Sequence, residues 1–194
     1  MSKFFAYISR MKNIRRWGLM RSFREENVQE HSLQVAMFAH ALALLENQRY
    51  GGQYDAEHIM AIAVYHETSE VITGDLVTPI KYYNDEIRSA YKHIEALAEE
   101  RMLSMLPEDL TDQIRPLVQP ENIQEKRIVK AADTLAAYTK CLEEVRSGNR
   151  EFEKAAEKLK KNIETMAKDW NLASVSYFIK EFIPSFEVTL DELN

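Results

Sequence analysis

The sequence predicts an all-α protein, a single helical bundle over residues 1–194. Three observations predict it. Apolar residues recur three and four positions apart over most of the chain, the period of a one-sided helix. No stretch shows the strict alternation of a half-buried strand. Breakers are sparse: there are five Gly and five Pro, with no Pro before Pro79, so long segments run uninterrupted. A chain of 194 residues with 45% hydrophobic content can bury roughly 70% of its unfolded surface in one core, and its composition argues against disorder.

A first helix is expected at the N-terminus, capped by Ser2, with Phe4, Phe5, Ile8 and Met11 on its core face. A loop around Trp17 and Gly18 leads to a second helix starting near Asn27. There His31, Val35, Phe38, Leu42 and Leu45 form one stripe, and Gly51 with Gly52 ends it. Asp55 caps a third helix, in which Ile59, Ile62, Ala63 and His66 continue the pattern until Gly74. Pro79 then keeps the residue before it out of helical geometry, so "GDLVTP" reads as a loop. From Asn84 a long amphipathic helix carries Ile87, Tyr91, Ile94 and Leu97 toward Leu106, and Pro107, Pro116 and Pro120 break the next region into short pieces. A further helix begins near Ile123, small and apolar at its centre except for Asp133. Gly148 and Asn149 stop it, and a charged helix to about Trp170 and an apolar one through Tyr177, Phe178 and Phe182 to Pro184 complete the bundle.

Charge is unevenly distributed. The first 24 residues contain no Asp or Glu but carry Lys3, Arg10, Lys12, Arg15, Arg16, Arg21 and Arg24, which leaves 18 basic against 31 acidic residues in the rest of the chain. A basic arm on an acidic body points to a local anion site, not to polymeric nucleic acid, which needs a basic surface over most of the domain. An Arg-rich, acid-poor start is also the composition of a transit peptide, but the core face of the first helix argues against that reading. No apolar run is long enough for a secretory or membrane-spanning segment. With Cys141 as the only cysteine, no intrachain disulfide can form, and a reducing, cytoplasmic home is expected.

Four polar positions are not explained by the helical pattern: His31, the pair His66 and Glu67, Glu70, and Asp133. Each lies on a stretch whose neighbours read as buried. An isolated charge in a low-dielectric interior costs several kcal/mol (roughly, from ion desolvation) unless something pairs with it, and a shared cation answers that need. Two imidazoles and two carboxylates suit one divalent transition-metal ion, Zn, Mn, Fe, Co or Ni, among which spacing does not choose. The zincin signature H-E-x-x-H is not met, because Glu70 occupies the position of its second histidine. His40, His58 and His93 read as ordinary core or boundary residues.

The segments "RRWGLMRSFREENVQEHSLQVA", "YHETSEVITGDLVTPIKYYN", "KAADTLAAYTKCLEE" and "FIPSFEVTLDEL" together resemble the HD-domain phosphohydrolases, and within them the bacterial HD-domain 5′-deoxynucleotidases. The likeness spans nearly the whole chain. It implies an HD-domain fold and a phosphomonoesterase that converts deoxyribonucleoside 5′-monophosphates to deoxynucleoside and phosphate. It also implies a homodimer working on a small-molecule nucleotide, with no membrane or nucleic-acid partner. The metal ligands it implies are His31, His66, Glu67 and Asp133. Glu70 and Arg16 take the catalytic roles, and Arg16, Trp17, His31, Glu67, Asp75, Leu76, Val77, Thr78 and Asp133 meet the substrate.

Two positions depart from the family pattern. Val77 stands where a relative in that family carries Pro, a change expected to loosen the loop and to bear on selectivity. Glu67 stands where the family's name-giving Asp belongs, and its extra methylene moves the carboxylate outward by about one C–C bond length, ~1.5 Å. Three outcomes are open: metal bound by a repositioned Glu67, metal bound more weakly with another preference, or a pocket without metal. The first is favoured because charge and donor softness are kept. The rival functions are an HD hydrolase acting on another phosphoester and a non-catalytic nucleotide-binding protein disabled by Glu67.

Overall fold

In a computed structural model, which describes residues 1–81 and 83–193 without the side chains of Thr78 and Leu190, the chain is mostly helical. Helices α1 (Phe4–Ile8), α2 (Val28–Tyr50), α3 (Ala56–Tyr65), α4 (Glu70–Thr73), α5 (Thr78–Lys81), α6 (Asp85–Leu103), α7 (Glu108–Val118), α8 (Ile123–Arg146), α9 (Glu153–Asp169) and α10 (Ala173–Glu181) follow in order, with short 3-10 turns between some of them. No strand occurs among the described residues, only an isolated antiparallel bridge between Arg15 and Asn27.

Local signals set the helix starts. Asn27 accepts the Glu30 amide while the Glu30 carboxylate reaches back to the Asn27 amide, a full capping box. Asp55, Asn84 and Asn122 cap α3, α6 and α8 through their side chains. Gly51, at φ 73°, closes α2 in the left-handed conformation that a Cβ disfavours.

Helix α2 packs against α3, α8 and α10, and α9 covers α8. The main core joins Val35, Phe38 and Leu42 of α2, Ile59 and Ile62 of α3, Ile128 and Leu135 of α8, and Phe178 of α10. Alanines 131, 132 and 136 of α8 lie within it, and α2 packs directly on α8. A smaller cluster sets Phe4 against Met102 and Leu103 at the end of α6, Leu106 just beyond it, and Ile114 and Val118 of α7.

Several expectations are corrected. Ser2 does not cap α1; its hydroxyl donates to the Met105 carbonyl, and Phe5 is exposed while Phe4 and Met11 are buried. The third helix does not run to Gly74 but ends at Tyr65, because the Thr68 amide and hydroxyl both bond the Tyr65 carbonyl and tighten the chain into a turn over 66–69. Thr78 opens α5, so Pro79 sits in a first helical turn, where its missing N–H loses no bond. Pro116 lies inside α7. On α6 the buried residues are Tyr91, Ala98, Met102 and Leu103, while Ile94 and Leu97 face outward.

Candidate metal centre

Three parts of the chain, far apart in sequence, bring their polar residues to one place. His31 stands in the first turn of α2, fully buried, with its amide bonded to the Asn27 carbonyl of the cap. Asp133 lies mid-way along α8. His66 and Glu67 come from the turn after α3. One donor atom from each of His31, His66, Glu67 and Asp133 falls within 4.8 Å of all the others. The sequence-expected ligand set is therefore assembled in space, with Glu67 included despite its longer side chain.

The hydrogen bonds fit a cation. Nδ1 of His66 lies 2.7 Å from the Ala63 carbonyl, which can only accept, so Nδ1 carries a proton and Nε2 is the ring atom turned to the cluster. That Nε2 is buried without a hydrogen-bond partner, a group an electrophile would satisfy. It faces Oε1 of Glu67 at 3.4 Å. Nε2 of His31 lies 3.0 Å from Oδ1 of Asp133, while Oδ2 of Asp133 accepts from Lys130 Nζ at 2.6 Å. Mixed imidazole and carboxylate donors of this kind suit a divalent first-row metal.

Electrostatics define the site further. Burial works against the Asp133 carboxylate, but Lys130, His31 and His66 together hold it well below the usual carboxylate range. Glu67 behaves alike: burial pushes it up, and His66 and Arg16 outweigh that to bring it to about 2. Glu70 goes the opposite way, to about 10, first through burial and then through the charges of Glu67 and Asp75. Oε2 of Glu70 is buried and unpaired. Two neighbouring carboxyls thus take opposite protonation states, the arrangement that separates acid from base roles.

The basic arm delivers one cation to this cluster. The Arg16 amide donates to the Glu26 carbonyl at 2.9 Å and the Val28 amide to the Ile14 carbonyl at 3.0 Å, pinning the arm to the start of α2. The Arg16 guanidinium, only 12% exposed, reaches Glu26 at 3.2 Å and Glu67 at 3.8 Å. Trp17 holds φ 60°, unusual for an aromatic residue. Packing of its ring on Phe152 (centroids 5.3 Å apart) and its indole N–H bond to Glu26 Oε2 (2.7 Å) keep it there. Asp75, Leu76 and Val77 form a half-buried loop after Gly74. The expected contribution of the Thr78 side chain lies outside the described residues.

Sequence reasoning missed Glu26 and Lys130. Lys130 had a signal, since it lies one helical turn before Asp133. Glu26 had a weaker one. Antiparallel pairing of 15–16 with 26–27 alternates faces, so Arg15 pairs with Glu25 in solvent at 2.8 Å while Arg16 and Glu26 turn inward.

A cluster of His31, His66, Glu67 and Asp133, the first buried and the others partly so, gathered from α2, α8 and the turn after α3 of an all-α bundle, is the site and fold of an HD-domain phosphohydrolase. The solved HD-domain phosphohydrolase from Listeria innocua shares this architecture, with a TM-score of 0.81 at 25% identity over 95% of this chain and 88% of that one. The HD phosphohydrolase of cyanophage S-2L, described bound to dA and one catalytic Zn2+, shares the fold with a TM-score of 0.68 at 16% identity, covering 93% and 96%. The family model "5′-deoxynucleotidase YfbR-like" matches residues 3–186, and the chain belongs to that family. A 5′-deoxynucleotidase of Vibrio vulnificus is 51% identical over 100% of this chain and 98% of its own, and one of Salmonella arizonae is 50% identical over 100% and 96%.

Proposed function

We propose that the protein is a metal-dependent phosphomonoesterase that hydrolyses deoxyribonucleoside 5′-monophosphates, with residues 1–194 acting as one catalytic domain. The observation that carries this reading is the meeting of four donor atoms from His31, His66, Glu67 and Asp133 within 4.8 Å, beside a buried imidazole nitrogen that has no partner. A family whose relatives are named 5′-deoxynucleotidases supports the choice of substrate.

His31, His66, Glu67 and Asp133 hold the divalent ion, whether Mn, Co, Zn, Fe or Ni. When bound, such an ion supplies Lewis acidity, making hydroxide accessible near neutral pH and drawing charge from a phosphoryl oxygen. Arg16 offers its guanidinium N–H groups to the remaining phosphoryl oxygens and neutralises charge that grows as the nucleophile approaches. Glu26 and Glu67 hold that guanidinium in place beforehand, so little reorganisation accompanies the reaction. Glu70 holds the mobile proton at its unpaired Oε2 and gives it to the nucleoside 5′-oxygen as the P–O bond breaks. Asp75, Leu76 and Val77, in the half-buried loop after Gly74, with Thr78 at the start of α5, are assigned to the sugar, and Trp17 to the pocket wall.

The reading includes a homodimer, as the resemblance implies, with a small nucleotide as partner, and a cytoplasmic home, which the single cysteine Cys141 favours. The net charge of -6 supports the exclusion of polymeric nucleic acid. No helix among the described residues is long and apolar enough to cross a membrane.

Phosphate release from a panel of deoxy- and ribonucleoside monophosphates, measured with Mn, Co, Zn or Mg and repeated with His66→Ala, tests the reading. Turnover by the native protein that disappears in the variant is the expected result. Equal turnover in both would remove the mechanism.

A further inference from the structure

Glu26 stands outside the metal-ligand cluster, yet it touches or faces three of the groups the proposed reaction needs. Its Oε2 accepts from the Trp17 indole N–H at 2.7 Å and from Arg16 Nε at 3.2 Å. Its Oε1 lies 3.8 Å from Nδ1 of His31. That Nδ1 is buried and has no hydrogen-bond partner. The carboxylate is itself only 14% exposed.

Glu26 cannot easily turn away. Its carbonyl accepts the Arg16 amide, and the next residue, Asn27, is fixed as the cap of α2 by the reciprocal bonds with Glu30. Backbone pairing on one side and a helix cap on the other leave only the side-chain torsions free. Those torsions are held by the two donors at Oε2.

The two histidines of the cluster can be compared directly. Each needs Nε2 free of its proton to bind a cation, and each therefore needs an acceptor for the proton on Nδ1. His66 has the Ala63 carbonyl at 2.7 Å. His31 has no carbonyl there, and Glu26 is the acidic group on that side.

We propose, building on the phosphohydrolase reading above, that Glu26 is a positioning residue that couples the two halves of the site. One carboxylate oxygen orients Arg16 and Trp17 toward the nucleotide phosphate and pocket, and the other keeps the Nδ1 proton of His31 so that Nε2 is presented to the metal ion. The carboxylate touches neither the reacting atoms nor the ion. Its loss is felt through Arg16 and His31 at the same time, which neither residue's own loss would reproduce.

Glu26→Gln tests this, because it keeps the side-chain volume and a carbonyl acceptor for Trp17 while removing the charge. Glu26→Asp serves as the conservative companion. Cobalt(II) affinity would be measured by competition with a chromophoric chelator, together with the visible spectrum of the cobalt-loaded protein, the melting temperature of the metal-free protein, and KM and kcat for a deoxyribonucleoside monophosphate. The expected result for Glu26→Gln is a loss of about 10–100-fold in cobalt affinity, the scale typical of outer partners of metal-bound histidines. An altered cobalt spectrum and a raised KM should accompany it, with metal-free melting close to that of the native protein and partial recovery of affinity in Glu26→Asp. Native cobalt affinity and spectrum in Glu26→Gln would overturn the coupling, whatever happened to KM. A loss of affinity matched by a general fall in metal-free melting in both variants would reduce Glu26 to a structural residue and also overturn it. Native protein that binds cobalt and turns over, with a variant indistinguishable from it, sinks this inference alone. Native protein that takes up no cobalt sinks the phosphohydrolase reading with it.

Discussion

Nε2 of His31 lies 3.0 Å from Oδ1 of Asp133, 102 residues further along the chain. The two groups meet because α2 and α8 pack directly against each other. Both are proposed ligands, and without a cation they satisfy each other. Burial and Arg16 disfavour the His31 imidazolium, but the hydrogen bond to Asp133 and the nearby carboxylates of Asp133 and Glu26 win, so its pKa is raised above 6.5. A metal ion must therefore displace a proton from this pair. We expect metal affinity to fall as pH drops through the raised His31 value, and metal addition in weak buffer to release protons. The linkage has the opposite sign for the metal-free fold: stability from His31 is fully present below 6.5 and is lost as pH rises through the folded value. Titration calorimetry in buffers of different ionisation enthalpy checks the proton release. Uptake of metal with no released proton would contradict it.

Glu67 offers a second test. Its Oε1 lies 3.4 Å from His66 Nε2 and 3.8 Å from Arg16 Nη1, so the longer side chain does reach the cluster. If charge is what matters, Glu67→Gln should weaken metal binding by more than the ~10–100-fold typical of outer partners, and Glu67→Asp should keep measurable turnover. Metal content after dialysis and phosphate release decide between them. Full activity in Glu67→Gln would remove Glu67 from the ligand set.

The long helices were legible because they depend on local pattern, and the four residues that meet in the cluster stood out as polar breaks in apolar stretches whose order the family resemblance made specific. Asn27, Asp55 and the stripe through Val35, Phe38 and Leu42 are signals carried within a few residues. Other features depended on information that no short window holds. Periodicity marks Ile94 and Leu97 as one face of α6, but not whether another element covers that face, and none among the described residues does so fully. The break after Tyr65 is a competition between two sets of hydrogen bonds, settled by the Thr68 hydroxyl. Glu26 and Glu25 are equivalent as letters. Only the pairing of residue 15 with residue 27 turns one inward and leaves the other in solvent.

Arg16 should not be replaceable by lysine. Its Nε bonds Glu26 while Nη1 faces Glu67, so one planar group spans two carboxylates and still presents N–H donors to a phosphate. A lysine ammonium keeps the charge without that fork. We expect Arg16→Lys to lower kcat/KM by about 10²-fold or more, the order of losing one oriented donor to developing charge, while metal content stays native. Steady-state kinetics beside metal analysis checks this, and a variant within a few-fold of native kcat/KM would show that charge alone suffices.

The loop that carries Trp17 is held from behind by a buried ion pair, which gives the last prediction. Lys140 and Glu144, one turn apart on α8, lie 2.5 Å from each other and are 6% and 2% exposed. Glu144 also accepts the Phe23 amide at 2.8 Å, the Arg24 amide at 3.1 Å and the Asn149 side-chain amide at 2.8 Å. Lys140 donates to the Arg24 carbonyl. Burial alone would raise the Glu144 pKa, but these donors bring it from 4.5 to about 2. The depressed value makes Glu144 stabilising above about pH 4.5, a contribution on the order of 3 kcal/mol that is lost as pH falls from there toward about 2. Glu144→Ala strands Lys140 and several amides in the interior, and breaking a buried pair in this way costs about 3–5 kcal/mol. We expect the variant to unfold at lower urea at pH 7, to show less of the native protein's loss of stability on acidification, and to bind nucleotide more weakly because residues 17–24 lose their anchor. Urea unfolding of both proteins at pH 7 and pH 3 measures all of the stability change. If the gap between them were as wide at pH 3 as at pH 7, the ionised Glu144 would not be what holds the loop.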